Sequence, residues 1–172
     1  YERVSPWLGW FERRHPFREL AVESQRHAHD QPDVIVFGLG RYGGRLAQGL
    51  RQAGLTVLGV DFDPELVRAM RKKGLAVQFG DGLDPDFLDG LPLAQMAWVV
   101  STLPDVESNR VLLSMLRERR FAGEVAILAR EENDGLLLKR AGAPTVIYPI
   151  RNAVDYTVEH LTTLIRPKEI QP

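Results

Sequence analysis

Val34-Ile35-Val36-Phe37-Gly38-Leu39-Gly40-Arg41-Tyr42-Gly43-Gly44-Arg45-Leu46-Ala47 is the stretch whose reading decides the fold. A short apolar run ends in Gly-x-Gly-x-x-Gly, and a helical pattern starts directly after it. In a βαβ unit that binds a dinucleotide, each of these glycines has its own task. Gly38 lets the strand turn tightly into the helix, and Gly40 lets backbone approach a phosphate where a Cβ would collide. Gly43 lets the helix pack close on the strand. The first amides of that helix lack partners and sit at the positive end of its dipole, so they suit a phosphate. The next apolar run, Leu55 to Val60, leads into Asp61. That is roughly twenty residues downstream, where an acidic group meets ribose hydroxyls.

Composition narrows the class. The 172 residues suffice for one domain with a full core and an appendage. Twenty-two basic and 23 acidic side chains leave a formal charge of -1, whereas a nucleic-acid binder is normally clearly basic. With no cysteine, disulfides, zinc–thiolate sites and cysteine nucleophiles are excluded. No apolar run approaches the length of a membrane span, and no signal peptide is visible. The first residue is Tyr1, so the chain is expected to be a piece of a longer protein.

Residues 1–32 form a lead-in. Ser5-Pro6-Trp7 reads as a helix start, and Trp7, Trp10 and Phe11 share one face until Pro16 breaks the pattern. This segment is expected either to pack on protein or to lie at a membrane surface, where tryptophan and arginine are favoured. Arg26 to Pro32 reads as a linker, in which His27 and His29 lack a third metal ligand.

From Asp33 strands and helices alternate to residue 150. Strands are expected at Val34–Phe37, Leu55–Val60, Ala76–Phe79, Ala97–Ser101, Val125–Ala129 and Thr145–Tyr148, the last closed by Pro149. Helices are expected at Tyr42–Ala53, from Asp63-Pro64-Glu65 to Lys72, and over Asp86–Asp89. Two more follow at Asp105–Arg120 and Asn133–Ala141. Within Asp105–Arg120, Val106, Val111, Leu112, Met115 and Leu116 are expected to face inward. Right-handed crossovers then give an α/β fold: a Rossmann-like, doubly wound, six-stranded parallel sheet of order 3-2-1-4-5-6. A ligand belongs across the carboxyl ends of its strands, where Asp61-Phe62-Asp63, Gly80-Asp81-Gly82 and Ser101-Thr102-Leu103 converge with the glycine loop. The last segment, 151–172, carries Val154, Val158, Leu161, Leu164 and Ile165 on one stripe of a helix over Arg151–Ile165. That helix either folds back on its own domain or crosses to a second copy.

Several loops, matched in order, resemble the N-terminal lobe of the RCK family, the regulators of potassium conductance. They are Gly38-Leu39-Gly40-Arg41-Tyr42-Gly43, Val60-Asp61-Phe62-Asp63, Phe79-Gly80-Asp81, Val100-Ser101-Thr102 with Asn109, and Ala141-Gly142-Ala143. The tryptophan-rich lead-in and Asp61-Phe62-Asp63-Pro64 are most similar to the cytosolic tail of monovalent cation:proton antiporters of the Kef type. The resemblance implies a domain that binds AMP, ADP, ATP or NAD(H) as an effector and pairs as a homodimer. It also implies gating of a transmembrane ion-transport domain of the same polypeptide, at the cytoplasmic face of the membrane. It further implies that Gly38, Leu39, Gly40, Arg41, Tyr42 and Gly43 surround phosphates, that Asp61 holds ribose, and that Gly80-Asp81 flanks adenine. Nothing resembling that family's C-terminal ligand lobe follows Pro172. Independently of the resemblance, an Asp61 carboxylate repels a 2′-phosphate, which disfavours NADP.

The rival class is an NAD-dependent oxidoreductase, which needs an acid–base group beside the nicotinamide. His15, His27, His29 and His160 all lie away from the strand ends, and no Tyr-x-x-x-Lys pair occurs. Lys139, the one lysine between Lys73 and Lys168, falls well along a helix. The nucleotide is therefore read as an effector, and no enzymatic turnover is expected.

Overall fold

Continuous apolar runs of four or five residues build the sheet, as expected of strands covered on both faces. The computed structural model describes residues 32–165. Its strands are β1 (Val34–Phe37), β2 (Val57–Asp61), β3 (Ala76–Phe79), β4 (Trp98–Ser101), β5 (Glu124–Leu128) and β6 (Thr145–Ile147). All pair in parallel, in the order β3-β2-β1-β4-β5-β6. The expected fold class and strand order are those observed.

Helices cover both faces. α1 (Gly43–Gln52) and α2 (Pro64–Lys72) pack on one side, closing a core of Val34, Val36, Leu39, Ala47, Val57, Val67 and Met70. α3 (Pro85–Asp89), α4 (Val106–Glu118) and α5 (Glu132–Arg140) pack on the other, over Ile35, Phe37, Val60, Val99 and Ile127. The starts of α2, α3 and α4 follow local chemistry: Asp63, Asp84 and Asp105 each accept first-turn amides, and Pro64 and Pro85 open their helices.

Tertiary packing moves some boundaries. The second strand starts at Val57 rather than Leu55, because Leu55 N–H bonds back to Leu50 O and belongs to the end of α1. It also runs one residue further, to Asp61. Pro149 does not merely close the sixth strand; it is the first residue of α6 (Pro149–Ile165), whose start moves two residues ahead of the expected Arg151.

The inward face of α4 also needs correction. Leu113 is buried and Val111 is 38 % exposed. A polar residue, Asn109, occupies the buried stripe, so apolar spacing alone sets the face slightly off. α4 also ends without a glycine. Arg120 takes the left-handed conformation (φ 52°), with Phe121 N–H bonding Leu116 O.

The lead-in and its tryptophans, His27, His29 and residues 166–172 lie outside the described residues. Among the described residues, no helix is long and apolar enough to cross a membrane.

Candidate functional site

At the carboxyl end of β1 the chain needs a left-handed turn, and Gly38 supplies it with φ +82°. Three bonds fix this turn against its neighbours. Gly38 N–H donates to Val60 O, Thr102 N–H donates to Phe37 O, and the Thr102 hydroxyl donates to Gly38 O at 2.7 Å. Behind it, a Cβ on Gly43 would overlap the Gly38 carbonyl and the Thr102 hydroxyl, so α1 reaches the strand this closely only through glycine.

Gly40 is different. A Cβ built there meets no atom within 4 Å, and its φ is not in the left-handed region. Neither packing nor backbone conformation demands glycine at this position. The space in front of the loop at Gly40 is open.

Leu39 behaves unlike a ligand-facing side chain. It is fully buried, and it lies over Gly59 of β2, where a Cβ would come within 2.8 Å of it. Its amide reaches across to β2: Leu39 N–H donates to Asp61 Oδ2 at 2.5 Å. The other carboxylate oxygen, Oδ1, accepts Asp63 N–H at 2.8 Å. Asp61 is thus a buried carboxyl group that ties β2 to the glycine loop, and each oxygen retains lone pairs for a further donor. Beyond it, Arg41, Tyr42 and Phe62 are exposed, Phe62 to 68 %. α1 makes its first bond at Gly44 N–H to Gly40 O, and the amides before it point out from the helix start.

Other expected site residues have internal partners. Asp63 caps α2 through Glu65 N–H and Leu66 N–H. Asp81 accepts Leu83 N–H and shapes its own turn. A Cβ on Gly80 would run into the Phe87 ring, and one on Gly82 into Phe37, so this loop lies flat on apolar core. Ser101 is fully buried and donates to Asn109 Oδ1 at 2.6 Å, while Leu103 N–H donates to Ser101 Oγ at 3.4 Å. Asn109 in turn donates to Leu103 O and Asp105 O, so it organises the loop after β4. Its sequence signals are a polar side chain on the inner stripe of an amphipathic helix and its place beside Val100-Ser101-Thr102 in the family resemblance. Among the described residues, no cluster of three acidic or histidine side chains forms a metal site.

A glycine turn beside an acid at the end of β2 is general to doubly wound sheets of this order. The TrkA-N domain profile matches residues 34–149, from the first residue of β1 to the first of α6. The chain belongs to the TrkA-N family. A curated relative, the glutathione-regulated potassium-efflux system protein KefC of Escherichia fergusonii, is 29 % identical over 124 residues, or 72 % of this chain. The match spans about a fifth (20 %) of that relative's length. Among solved structures, the NAD(P)-binding domain of an exopolyphosphatase-related protein from Archaeoglobus fulgidus superposes with a TM-score of 0.69 at 23 % identity. That match covers 77 % of this chain and 99 % of the other. The Kef CTD of Shewanella denitrificans in its AMP-bound form gives 0.64 at 18 % identity, covering 78 % and 82 %. At these identities the structural likeness carries the fold.

Proposed function

We propose that this TrkA-N domain is a regulatory module that binds AMP, ADP, ATP or NAD(H) and gates an attached monovalent-cation transporter. The observation that carries this reading is the contrast at the glycine loop. Gly38 and Gly43 answer to the protein's own geometry, whereas Gly40 answers to nothing in the protein. Phosphates sit against the start of α1, with Arg41 beside them. Ribose hydroxyls donate to the free lone pairs of Asp61, and Phe62 and the Gly80-Asp81-Gly82 loop flank the base. KefC is a potassium-efflux system, and the Kef CTD was captured with AMP. Both support an effector role at the cytoplasmic face of a membrane, with the transport domain in the same polypeptide. No turnover is assigned, since the one described histidine, His160, lies on α6 and Lys139 is at the far end of α5.

The apolar stripe of α6 supports a homodimer. No residue of this 17-residue helix is buried, and Val154, Val158, Leu161, Leu164 and Ile165 are half or more exposed or close to it. A second copy covers the stripe by two-fold symmetry, which makes the contact isologous.

Calorimetric titration with AMP, ADP, ATP, NAD, NADH and NADP tests the nucleotide assignment. Saturable binding of one or more of the first five is expected, with NADP weaker than NAD. Asp61→Ala should weaken binding by about 1–3 kcal/mol. NADP binding as tightly as NAD, or no saturable binding by any of the six, overturns the assignment.

A further inference from the structure

In a parallel sheet every crossover helix runs back against its strands, so helix starts gather at the carboxyl edge and helix ends at the amino edge. The sequence charges those ends in opposite senses. The first turns of α2, α3, α4 and α5 carry aspartate or glutamate, whereas the last turns of α1, α2, α4 and α5 carry arginine or lysine. Each placement suits its own helix dipole. The shared topology gathers them into an acidic edge, where the glycine loop lies, and a basic edge opposite.

The basic edge keeps an excess of cations. Lys72, Lys73, Arg120, Lys139 and Arg140 are exposed there, and none of them pairs with a carboxylate among the described residues. The carboxylates at this edge are fewer: Asp33, Asp89, Glu118 and Glu124, of which Asp89 is already matched by Arg119 at 2.6 Å. Lys72 and Lys73 lead into β3, and Lys139 and Arg140 into β6, the two outer strands. At about 4.8 Å per strand spacing, the charge spreads over roughly 24 Å. That spread fits a broad anionic surface rather than one small anion. Between these clusters in strand order stand two exposed apolar side chains, Leu55 just ahead of β2 and Trp98 at the start of β4. Cations around an exposed tryptophan suit the headgroup region of a bilayer. β1 begins at this edge as well, so the chain enters here from residues 1–31, whose Trp7, Trp10, Arg13 and Arg14 suit a membrane surface by composition.

We propose that the amino edge of this sheet is a docking surface for a bilayer rich in anionic phospholipid. Lys72, Lys73, Lys139 and Arg140 meet the headgroup phosphates, and the glycine loop at the opposite edge opens away from the membrane. This inference rests on the reading of a domain at the cytoplasmic face of a membrane and adds the face that meets the lipid. It asks nothing of the nucleotide.

Co-sedimentation of the 172-residue chain with vesicles tests the surface. The chain should bind vesicles of equal parts phosphatidylglycerol and phosphatidylcholine, and bind pure phosphatidylcholine far more weakly. Raising salt from about 0.05 M to about 0.5 M should release it, because the charges are then screened. Lys72→Glu with Lys73→Glu, and separately Lys139→Glu with Arg140→Glu, should each weaken binding about tenfold or more. Arg45→Glu with Arg130→Glu makes the same change in net charge at the carboxyl edge and should stay within about twofold of the parent. Each pair is judged with a circular dichroism spectrum matching the parent's, and either edge pair suffices. No binding to the anionic vesicles, equal affinity for both vesicle types, or equal losses in edge and control variants overturns the proposal. Full binding by both edge variants overturns it too, and assigns the contact to residues 1–31. None of these results touches the calorimetric test of the nucleotide site, and fractionation of cells making the natural polypeptide judges the membrane location separately.

Discussion

Gly40 and Gly43 stand three residues apart in one loop, yet substitution should separate them cleanly. At Gly43 a new methyl would overlap backbone at Gly38, which cannot swing aside as a side chain can. Gly43→Ala should therefore destabilise the domain by about 1–3 kcal/mol or more, read as a lower midpoint in urea unfolding. At Gly40 the same methyl meets open space. Gly40→Ala should leave stability unchanged or raise it by up to about 1 kcal/mol, through a less flexible unfolded chain. It should still weaken nucleotide binding in calorimetry. Equal losses of stability at the two positions would mean that the space before Gly40 is not kept for a ligand. Asp61 illustrates a different point. Its place at the end of an apolar run was legible, but its bond to Leu39, 22 residues earlier, was not. That bond depends on how two strands lie side by side, which no local pattern encodes.

Among the elements, α4 offers a pH-dependent test. Asp105 caps it: Oδ1 accepts Ser108 N–H and Oδ2 accepts the Ser108 hydroxyl, both at 2.8 Å. The backbone bond from Ser108, and then its side-chain bond, hold the Asp105 carboxyl below its ordinary value of 3.8. The folded state therefore favours the ionised form, and the stabilisation is fully present above pH 3.8 and fades as pH falls through the lowered folded value. Asp105→Ala should cost about 0.5–2 kcal/mol at neutral pH, the usual worth of such a cap. The difference from the parent should shrink when both are unfolded in urea at progressively lower pH below 3.8. A constant difference across that range would assign the cap's contribution to geometry alone. The start of this helix was readable because capping is local. Its buried face was misjudged at Val111 and Leu113, because Asn109 is buried through bonds to Ser101, Leu103 and Asp105 rather than through hydrophobicity.

Taken whole, the domain covers both faces of its sheet yet leaves α6 bare, which makes its assembly testable without disturbing its fold. Val158 and Leu161 are 58 % and 48 % exposed in the single chain. Changing both, Val158→Asp with Leu161→Asp, should leave the circular dichroism spectrum intact and convert a dimer to monomers in light scattering. Burying such a stripe contributes on the order of several kcal/mol per subunit at about 25 cal/mol per Å2 of apolar area, enough to hold a dimer together. An unmodified chain that stays monomeric at high concentration would remove the dimer. Unfolding of the double variant would instead place the stripe in its own subunit's core.

The sequence by itself determined the parallel sheet, its order, the starts of α2, α3 and α4 and the glycine turn. These follow from short-range rules: apolar runs of strand length, aspartate–proline helix openings, and glycines where backbone must turn or pack. Tertiary structure decided which polar groups bind one another. It made Leu39 a core residue with a working amide, turned Ser101 toward Asn109, and left α6 without a surface to lie on. Periodicity specifies which face of an element is apolar, whereas a hydrogen bond between distant segments is fixed only once packing sets their separation to within a few tenths of an ångström.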